Sequence, residues 1–433
     1  MARPDAWETC GVKDLAGRAH DSRAKLSLDK NRIGILLLEG IHSSAEETFR
    51  ADGYTNITRH DKSLPEAQLA GAVREASLIG IRSATHLTRR VLEQAPGAIA
   101  IGCFCIGTNQ VDLGAAEELG LPVFNAPFSN TRSVAELVLA EIILLMRGIP
   151  FLNAATHRGE WIKTATGNFE VRGKSLGIIG YGHIGIQVGL LAESLGMKVL
   201  YRDVENKLAL GNARPAESLG TLLESSDVVT LHVPETPATR NMIGAAEIAR
   251  MKPGARLINA SRGTVVDLEA LAQALHSGHL SGAALDVFPK EPKTVGERFA
   301  SPVSGMANVL LTPHVAGSTE EAQKHIGMEV AEKMIRFSNN GSTLSAVNFP
   351  EVSLPEHTGK RRLLHIHHNQ PGVLSRVNAV FSAHNINIAS QYLQTSAKIG
   401  YVVTDVETSE KAVKDLRVEL AEVEGTIRTR ILH

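Results

Sequence analysis

Short apolar runs rich in β-branched residues alternate with longer, helix-like segments from residue 33 onward. This alternation predicts a parallel sheet covered by helices, because parallel strands are usually joined by helical crossovers. The first unit of this kind has strand candidates at residues 33–38, 56–59, 78–81, 98–101 and 122–125. It contains no glycine-rich phosphate loop, so we expect it to bind a substrate rather than a nucleotide.

One long apolar run, residues 134–146, is predicted to form a buried or subunit-interface helix. It includes Glu136 and Glu141 and is shorter than the ~20 apolar residues that cross a bilayer. Ser133 and Glu136 have the spacing of a capping box, which predicts that the helix begins there. A second alternating unit follows. Its strand candidates begin at Ser175, Lys198, Asp227, Ala255, Gly282 and Asn308, enough for a complete dinucleotide-binding sheet.

The first strand of the second unit leads into a glycine-rich turn and then a helix-like segment. Gly180 permits a tight turn, Gly182 lets the backbone approach a pyrophosphate, and Gly185 lets helix and strand pack closely. Asp203 ends the next strand, near the expected spacing of about 20 residues, and can accept hydrogen bonds from both ribose hydroxyls. Its carboxylate would repel the 2'-phosphate of NADP, and Arg202 can alternate outward, so we predict NAD as the cofactor.

Polar residues end the other strands of the second unit, at the edge where open α/β sheets bind their ligands. Oxidation of an alcohol by a nicotinamide needs a base for the hydroxyl proton and a cation for a neighbouring carboxylate. We predict His314 as the base, Glu291 as the acceptor of its other ring proton, and Arg262 as the cation. Each residue alone is better explained as a loop, cap or half-buried residue. Their combination after a nucleotide fingerprint favours catalysis.

The last part of the chain contains a linker and a small third module. A helix predicted over residues 319–337 could return to the first unit, and segments 338–342 and 348–359, rich in Gly, Pro, Ser and Asn, indicate a linker. The tail has the strand-helix-strand-strand-helix-strand order of a ferredoxin-like module. Its predicted elements are residues 361–367, 372–384, 386–395, 399–406, 410–421 and 426–432.

These elements predict an α/β protein with two doubly wound parallel-sheet domains, one Rossmann-type and one flavodoxin-like, followed by the ferredoxin-like domain. A length of 433 residues fits this number of cores. The predicted divisions are a mobile arm (1–30), a discontinuous substrate domain (31–130 and 317–348), a nucleotide domain (131–316), a linker (349–360) and the tail (361–433).

Composition narrows the possible partners. Hydrophobic residues make up 43%, charged residues 21%, and the formal net charge is -1, which gives no reason to expect nucleic acid or a membrane surface as a partner.

The chain has three cysteines, Cys10, Cys103 and Cys105. They form neither a disulfide framework nor a metal-ligand set and fit a reducing compartment. The pair at 103 and 105 could be redox-active, although such cysteines are more often core residues. Residues 1–30 lack a secretion signal, so we expect a cytoplasmic protein.

Four segments resemble the D-2-hydroxyacid dehydrogenase family: Gly-Tyr-Gly-His-Ile-Gly (180–185), Ile-Asn-Ala-Ser-Arg-Gly-Thr-Val-Val-Asp (258–267), Ala-Leu-Asp-Val-Phe-Pro-Lys-Glu-Pro (284–292) and Leu-Thr-Pro-His-Val-Ala-Gly-Ser-Thr (311–319). The resemblance extends from about residue 33 to the C-terminus. Segments 101–112, 125–136 and 340–350 are similar to the branch of that family that oxidises 3-phospho-D-glycerate to 3-phosphohydroxypyruvate at the start of L-serine synthesis.

The resemblance implies an NAD enzyme in which Arg262, Glu291 and His314 are the catalytic residues. It implies that His183 and Ile184 contact the pyrophosphate and that segment 314–317 lines the nicotinamide. The full set of implied cofactor residues is Gly180, Gly182, His183, Ile184, Gly185, Asp203, His232, Ala260, Ser261, Arg262, Asp286, His314, Val315, Ala316 and Gly317.

The same match implies that the substrate lies between the two larger domains. The candidate residues are Arg82, Ser83 and Asn130. The alternative for Arg82 is a surface ion pair.

The tail resembles the ACT regulatory domain, which commonly binds an amino acid at a subunit interface. His367 and Asn369 lie at a predicted strand-to-helix turn, and we expect Asn387 to lie across from them at the next strand. These side chains suit the carboxylate, amine and hydroxyl of such a ligand; the alternative is that they are turn and cap residues. The resemblance implies L-serine as the effector, with feedback inhibition. The apolar helix after Ser133 and a pairing tail imply a homotetramer.

Two rival functions remain open at this stage. One is another D-2-hydroxyacid dehydrogenase activity, including 2-oxoglutarate reduction, although the ACT-like tail argues against the shorter members of the family. The other is a non-catalytic, NAD-sensing scaffold built on the same fold. Turnover would distinguish them.

Overall fold

The computed structural model describes residues 29–292, 296–355 and 361–432. The predicted mobile arm, apart from its last two residues, and Cys10 therefore lie outside the described residues.

The first sheet is parallel, with strand order β2-β1-β3-β4-β5, which is the predicted flavodoxin-like order. Its strands are β1 (Ile35–Leu37), β2 (Ile57–Arg59), β3 (Leu78–Ile81), β4 (Ala100–Cys103) and β5 (Val123–Asn125).

Helices α1 (Ser43–Ala51), α2 (Glu66–Ala72), α3 (Arg89–Leu92) and α4 (Leu113–Glu118) connect these strands. Strand β4 begins two residues later than predicted, because the backbone N–H of Ala98 closes a turn onto the Ala95 carbonyl at 3.1 Å. The shift makes Cys103 the last strand residue, fully buried in the core, whereas Cys105 lies beyond the strand and is half-buried. Both are free thiols.

The second sheet is also parallel and has the order β12-β11-β10-β9-β6-β7-β8. Its strands are β6 (Ser175–Ile179), β7 (Lys198–Arg202), β8 (Arg214–Pro215), β9 (Val228–Leu231), β10 (Ala255–Asn259), β11 (Leu280–Leu285) and β12 (Val309–Leu311). All predicted strands are present. Strand β8 was not predicted, because two residues that include a proline carry no alternating pattern. The helices are α5 (Thr131–Met146), α6 (Ile149–His157), α7 (His183–Ser194), α8 (Leu219–Ser225), α9 (Ala245–Arg250) and α10 (Leu268–His276).

The predicted capping box at the start of α5 is wrong. The helix begins at Thr131, two residues before Ser133, and its N-cap residue, Asn130, makes no side-chain cap. The Ser133 hydroxyl instead lies 2.8 Å from the Thr319 hydroxyl, and Glu136 pairs with Arg132. The apolar face of α5 packs against α7, β10 and β11.

Helix α11 (Glu320–Asn340) runs from the end of the second sheet back to the first, where it packs against α1, β4 and β5. It is longer than predicted: residues 338–340 are helical, and the helix ends at Gly341, whose φ of 80° suits a glycine C-cap. The segment predicted as a linker after this helix packs against the first sheet. Phe349, Val352 and Leu354 are buried in the core of the first sheet, and the Val123 N–H donates to the Asn348 side chain at 2.8 Å.

The tail forms β13 (Arg361–His368), α12 (Val373–Ala383), β14 (Ile388–Thr395), β15 (Ile399–Val406), α13 (Glu410–Glu422) and β16 (Thr426–Leu432). The antiparallel sheet has the ferredoxin-like order β14-β15-β13-β16, as predicted. Helices α12 and α13 cover one face. The other face, which includes Leu364, Ile366 and Tyr401, joins the core of the first sheet. The central strands of the tail sheet, β13 and β15, are therefore covered on both sides, whereas the edge strand β14 is partly exposed.

Among the described residues, no helix is both long and apolar enough to cross a membrane. Within the same part of the chain, no group of His, Cys, Asp or Glu side chains is arranged to hold a metal ion.

Candidate active site

The glycine-rich turn after β6 has the geometry of a nucleotide-binding turn. Gly180 has a φ of 90°, and a Cβ there would lie 2.3 Å from the His232 carbonyl oxygen. A Cβ on Gly185 would lie 2.2 Å from the Gly180 oxygen. A Cβ on Gly182 would meet nothing within 4 Å, which is the open space a pyrophosphate needs in front of the start of α7 at His183.

Asp203 lies at the end of β7, directly beside this turn. Its carboxylate accepts the Tyr181 N–H at 2.7 Å and the Glu205 N–H at 3.0 Å, which fixes its orientation. Arg202 is exposed, in line with the expected alternation. These features fit a bound dinucleotide: the pyrophosphate can approach at Gly182 and the start of α7, and the Asp203 carboxylate suits an adenosine ribose without a 2'-phosphate.

His314 and Glu291 form a hydrogen-bonded pair beyond β12. The His314 Nδ1 lies 2.9 Å from one Glu291 oxygen and 3.1 Å from the other. The hydrogen bond that His314 donates to Glu291 raises the pKa of His314, although burial and the Arg262 charge oppose the shift. Burial alone would raise the pKa of Glu291, but the bond and charge of His314 outweigh it and lower that pKa. The pair therefore favours an imidazolium beside a carboxylate.

Asp286 holds the backbone that follows the histidine. It is 1% exposed, and its two oxygens accept the Val315 N–H at 2.8 Å and the Ala316 N–H at 2.9 Å. The Thr312 hydroxyl donates to the same carboxylate at 2.6 Å. These bonds span His314, whose φ of 56° is left-handed. The resemblance implies a cofactor contact for Asp286, and the structure adds that its carboxylate shapes the loop.

The turn that carries Arg262 is organised by two residues that were not predicted. The buried Asn259 side chain accepts the Ser261 hydroxyl at 2.8 Å and donates to the Arg262 carbonyl at 3.0 Å. A Cβ on Gly263 would lie 1.9 Å from the Phe288 carbonyl carbon, so only glycine allows this turn to pack on the loop before Glu291. Their place in the motif 258–267 was the only sequence signal for either residue.

The first sheet reaches the same space through two of its loops. The Asn130 side chain lies over Gly317, where a Cβ would be 2.2 Å from its Nδ2, and its buried Oδ1 has no partner among the described residues. Arg82, in the loop after β3 (residues 82–85), and Arg262, on the second sheet, both act on the Cys105 thiol. Burial raises the pKa of that thiol, and the hydrogen bond from Gln110 and the two guanidinium charges oppose the shift. Asn130 of the first domain thus lies against the loop that follows His314, and we call the space between this contact, Arg82 and the catalytic candidates the cleft.

The remaining cofactor candidates differ in their exposure. His183 is exposed, with its ring centroid 4.0 Å from that of Phe128, and Ile184 is half-buried. Val315 is 41% exposed. Burial lowers the pKa of His232 to about 3, so its ring is neutral, and its Nδ1 has no partner within the described chain.

The three effector candidates do not meet within one copy of the chain. His367 is 4% exposed, and Asn369 donates to the Ser396 carbonyl at 2.8 Å, both near the start of β15, where His368 pairs with Ile399. Asn387 precedes Ile388, which pairs with Val406 at the other end of β15. The length of β15, 8 residues, separates them by roughly 26 Å at about 3.3 Å per residue. The expectation that Asn387 lies across from the other two is wrong for a single chain.

A nucleotide-binding sheet whose ligand edge carries a His–Glu pair and an arginine defines a nicotinamide-dependent dehydrogenase. Residues 139–316 match the model of the D-isomer specific 2-hydroxyacid dehydrogenase NAD binding domain, and residues 363–428 match that of an AHAS small subunit-like ACT domain. The chain belongs to the D-2-hydroxyacid dehydrogenase family, is an NAD-dependent oxidoreductase, and carries a C-terminal ACT domain. The family resemblance, the fold class and NAD as the cofactor are thereby confirmed.

Relatives match the chain over almost its whole length. D-3-phosphoglycerate dehydrogenase of Haemophilus influenzae is 61% identical over 94% of this chain and 99% of its own length. The enzyme of the same name from Escherichia coli K12 is 61% identical over 95% and 100%. Among solved structures, D-lactate dehydrogenase from Aquifex aeolicus, complexed with NAD and lactic acid, has a TM-score of 0.62 at 28% identity and covers 70% of this chain and 95% of its own. D-2-hydroxyisocaproate dehydrogenase has a TM-score of 0.67 at 26% identity, covering 73% and 100%.

Proposed function

We propose that this protein oxidises 3-phospho-D-glycerate to 3-phosphohydroxypyruvate with NAD, the first step of L-serine synthesis in the cytoplasm. The observation that carries the proposal is the His314–Glu291 pair, with Nδ1 2.9 Å from the carboxylate, on the cleft that also receives Arg262, Arg82 and Asn130. The 61% identity to D-3-phosphoglycerate dehydrogenases over 94% of the chain supports this substrate over other 2-hydroxy acids.

Each side chain has a distinct role in the proposed reaction. When bound, NAD supplies the hydride acceptor for the hydrogen on C2 of the substrate. Because Nδ1 of His314 donates to Glu291, Nε2 is the nitrogen that takes the C2 hydroxyl proton. Glu291 stabilises the resulting imidazolium, and Arg262 binds the substrate carboxylate with its planar guanidinium. In the reverse direction His314 returns the proton to the keto oxygen.

The phosphate end of the substrate is assigned to the first domain. Arg82 supplies the cation and Ser83, which is exposed, supplies a hydroxyl. The Oδ1 of Asn130, which has no partner among the described residues, accepts a hydrogen bond from the substrate hydroxyl or from a donor on the bound cofactor. We propose a division into a substrate domain (31–130 and 317–348), a nucleotide domain (131–316) and an ACT domain (361–433), joined by a linker (349–360) whose first half packs on the substrate domain. The passage of α11 from the end of β12 back to β4 and β5 supports this discontinuous arrangement.

For the ACT domain we propose L-serine as an inhibitory effector that binds between two copies. Strand β14 is an edge strand, free to pair with another chain. If two β14 strands pair antiparallel, Asn387 of one copy comes to the end of the sheet that carries His367 and Asn369 of the other. Because His367 and Asn369 can meet Asn387 only across such a pairing, we expect the effector site to be shared by two copies.

A second contact between copies would complete the proposed homotetramer. Apolar side chains are exposed on and after α6: Ile149 (37%), Phe151 (40%), Trp161 (82%) and Ile162 (39%). An exposed cluster of this kind is typical of an interaction surface. Two different two-fold contacts, one here and one at β14, generate a closed tetramer.

Oxidation of NADH by 3-phosphohydroxypyruvate, titrated with L-serine, tests the activity and the effector together. We expect fast turnover that serine suppresses. Turnover that is indifferent to serine would contradict the effector assignment alone. An enzyme that reduces a different 2-oxo acid, such as 2-oxoglutarate, but not 3-phosphohydroxypyruvate would contradict the substrate. The absence of turnover with any 2-oxo acid would favour the NAD-sensing scaffold.

Replacement of Glu291 by glutamine is expected to move the pH dependence of catalysis. Glu291 raises the pKa of His314, and oxidation needs the neutral ring, so oxidation by the native enzyme declines as the pH falls through that raised pKa. The amide removes the charge, which lowers the pKa and extends oxidation to more acidic pH, while reduction is lost at lower pH than before. Profiles of kcat/KM against pH in both directions measure the shift. Unchanged inflections would show that Glu291 does not set the pKa of the base.

A further inference from the structure

Glu39 makes contacts with the Arg82 loop that the proposed reaction does not use. It follows β1 in a sharp turn in which Glu39 and Gly40 have φ values of 64° and 58°, both left-handed. Its carboxylate crosses to the end of the neighbouring strand β3. There it accepts the Arg82 N–H at 3.1 Å, the Ala84 N–H at 2.8 Å and the Thr85 N–H at 2.8 Å.

Converging backbone N–H groups of this kind usually bind a free anion. In this loop the protein's own carboxylate takes that position, so the backbone N–H groups of residues 82, 84 and 85 are already satisfied. The positive group that remains for a ligand is the Arg82 guanidinium, whose Nη1 lies 3.4 Å from the Glu39 carbonyl oxygen. On the opposite side of the loop, the buried Gln110 side chain donates to the Arg82 carbonyl at 2.8 Å. The Arg82 backbone is thus held from both sides.

Left-handed backbone at a residue other than glycine is maintained only where surrounding contacts determine it. At Glu39 those contacts are charge-assisted hydrogen bonds, which are stronger than neutral ones. The turn after β1 and the loop after β3 therefore depend on each other, through one side chain. Loss of the carboxylate would release the loop from its side of the cleft without removing any group assigned to the reacting carbon.

We propose that Glu39 is a positioning residue that fixes the Arg82 loop for the phosphate end of the substrate. The inference rests on the proposed function. Glu39 does not contact the substrate; it sets the backbone from which Arg82 and Ser83 project. Because Arg262 and His314 lie on the other domain, we expect their handling of the carboxylate and hydroxyl to depend little on Glu39.

The test compares Glu39→Gln with the native full-length enzyme on two substrates, 3-phosphohydroxypyruvate and hydroxypyruvate, which differ by the phosphate. Glutamine keeps the size of the side chain but turns an NH₂ group toward a backbone donor and loses the charge. Loss of charge-assisted hydrogen bonds predicts a rise of about tenfold or more in KM for the phosphorylated substrate. We expect kcat, the KM for hydroxypyruvate and the affinity for NADH to stay within about threefold. Glu47→Gln, on the exposed side of α1 in the same domain, is the matched control.

Several outcomes would overturn the proposal. An unchanged KM for 3-phosphohydroxypyruvate would mean that the loop does not need Glu39. An equal rise in KM for both substrates, or a fall in NADH affinity, would indicate general damage instead of positioning at the phosphate. Glu39→Asp provides a second variant if glutamine prevents folding: it keeps the charge and is expected to give a smaller rise for the phosphorylated substrate only. Failure of the native enzyme itself on 3-phosphohydroxypyruvate would instead refute the proposed function, and this inference with it.

Discussion

Replacement of His314 by asparagine is expected to lower kcat by about a thousandfold in both directions, the usual contribution of a positioned acid–base group. The amide cannot take the hydroxyl proton, but it can accept the backbone geometry, because asparagine tolerates the left-handed φ of 56° better than most residues. The Asp286 carboxylate still accepts hydrogen bonds from the N–H groups of Val315 and Ala316, so the loop around residue 314 is expected to keep its shape. The affinity for NADH, measured by fluorescence titration, should therefore be unchanged.

His325→Asn is the matched control, since that histidine is exposed on α11 and lies outside the proposed catalytic set. It should retain native turnover. If His314→Asn also retained native turnover, another group would have to be the base. If it lost NADH affinity together with activity, the role of His314 would be to shape the nicotinamide side of the cleft rather than to transfer a proton.

Much of this cleft could be predicted because it depends on short-range rules. The glycine turn is a local motif, and each glycine has a separate steric reason that applies whatever the rest of the fold does. Arg262, Glu291 and His314 lie far apart in sequence, yet each follows a strand of one parallel sheet. Since parallel strands end at a common edge, the strand assignment alone was enough to bring these three residues together.

The features that were not predicted depend on side-chain contacts and on where a helix returns the chain to the sheet. The order that puts β1 beside β3 was predicted, but no sequence pattern indicates that the Glu39 carboxylate reaches the N–H groups of the loop after β3. Asn387 was misplaced because α12 returns the chain to the opposite end of the sheet before β14 begins, far from Asn369. The end of α11 was missed because polar residues 338–340 resemble a linker, whereas their backbone continues the helix to Gly341.

The docking of the ACT sheet was also beyond prediction. An isolated ferredoxin-like sheet has helices on one face only, so its pattern does not reveal whether the second face meets solvent or another domain. Here Tyr401 donates to the Gly341 carbonyl at 2.6 Å, and Arg430 donates to the Ser338 carbonyl at 2.8 Å, both at the end of α11. The other end of α11 begins at Glu320, shortly after the His314 loop. One helix therefore joins the candidate effector domain to the candidate acid–base loop.

Arg362 is expected to have the largest effect on stability, because it holds this junction while completely buried. Its Nε and Nη2 donate to the two Asp405 oxygens at 2.7 and 2.8 Å. Its Nη1 donates to the carbonyl oxygens of Asn340, at 3.1 Å, and Pro355, at 2.9 Å. One side chain thus connects the ACT sheet to the end of α11 and to the segment before the sheet. Replacement by methionine, similar in length, removes all of these bonds and is expected to cost about 3–5 kcal/mol, the usual result of breaking a buried ion pair.

Hydrogen–deuterium exchange measures this loss locally, which matters in a multidomain protein that does not unfold in one step. The expected cost corresponds to exchange about two to four powers of ten faster in peptides from β13 and β15, with the second sheet unchanged. The control is Arg240→Met, which removes an exposed ion pair with Glu235. It should change the free energy of local unfolding, as derived from exchange, by less than about 1 kcal/mol. The Ser390 hydroxyl also donates to Asp405, at 2.9 Å. The double variant Arg362→Met with Asp405→Leu is therefore expected to recover only part of the loss, because it removes the carboxylate that the single variant leaves buried without its arginine. Equal exchange in the single and double variants would mean that the carbonyl contacts of Arg362, rather than its pairing with Asp405, fasten the ACT sheet to the enzyme.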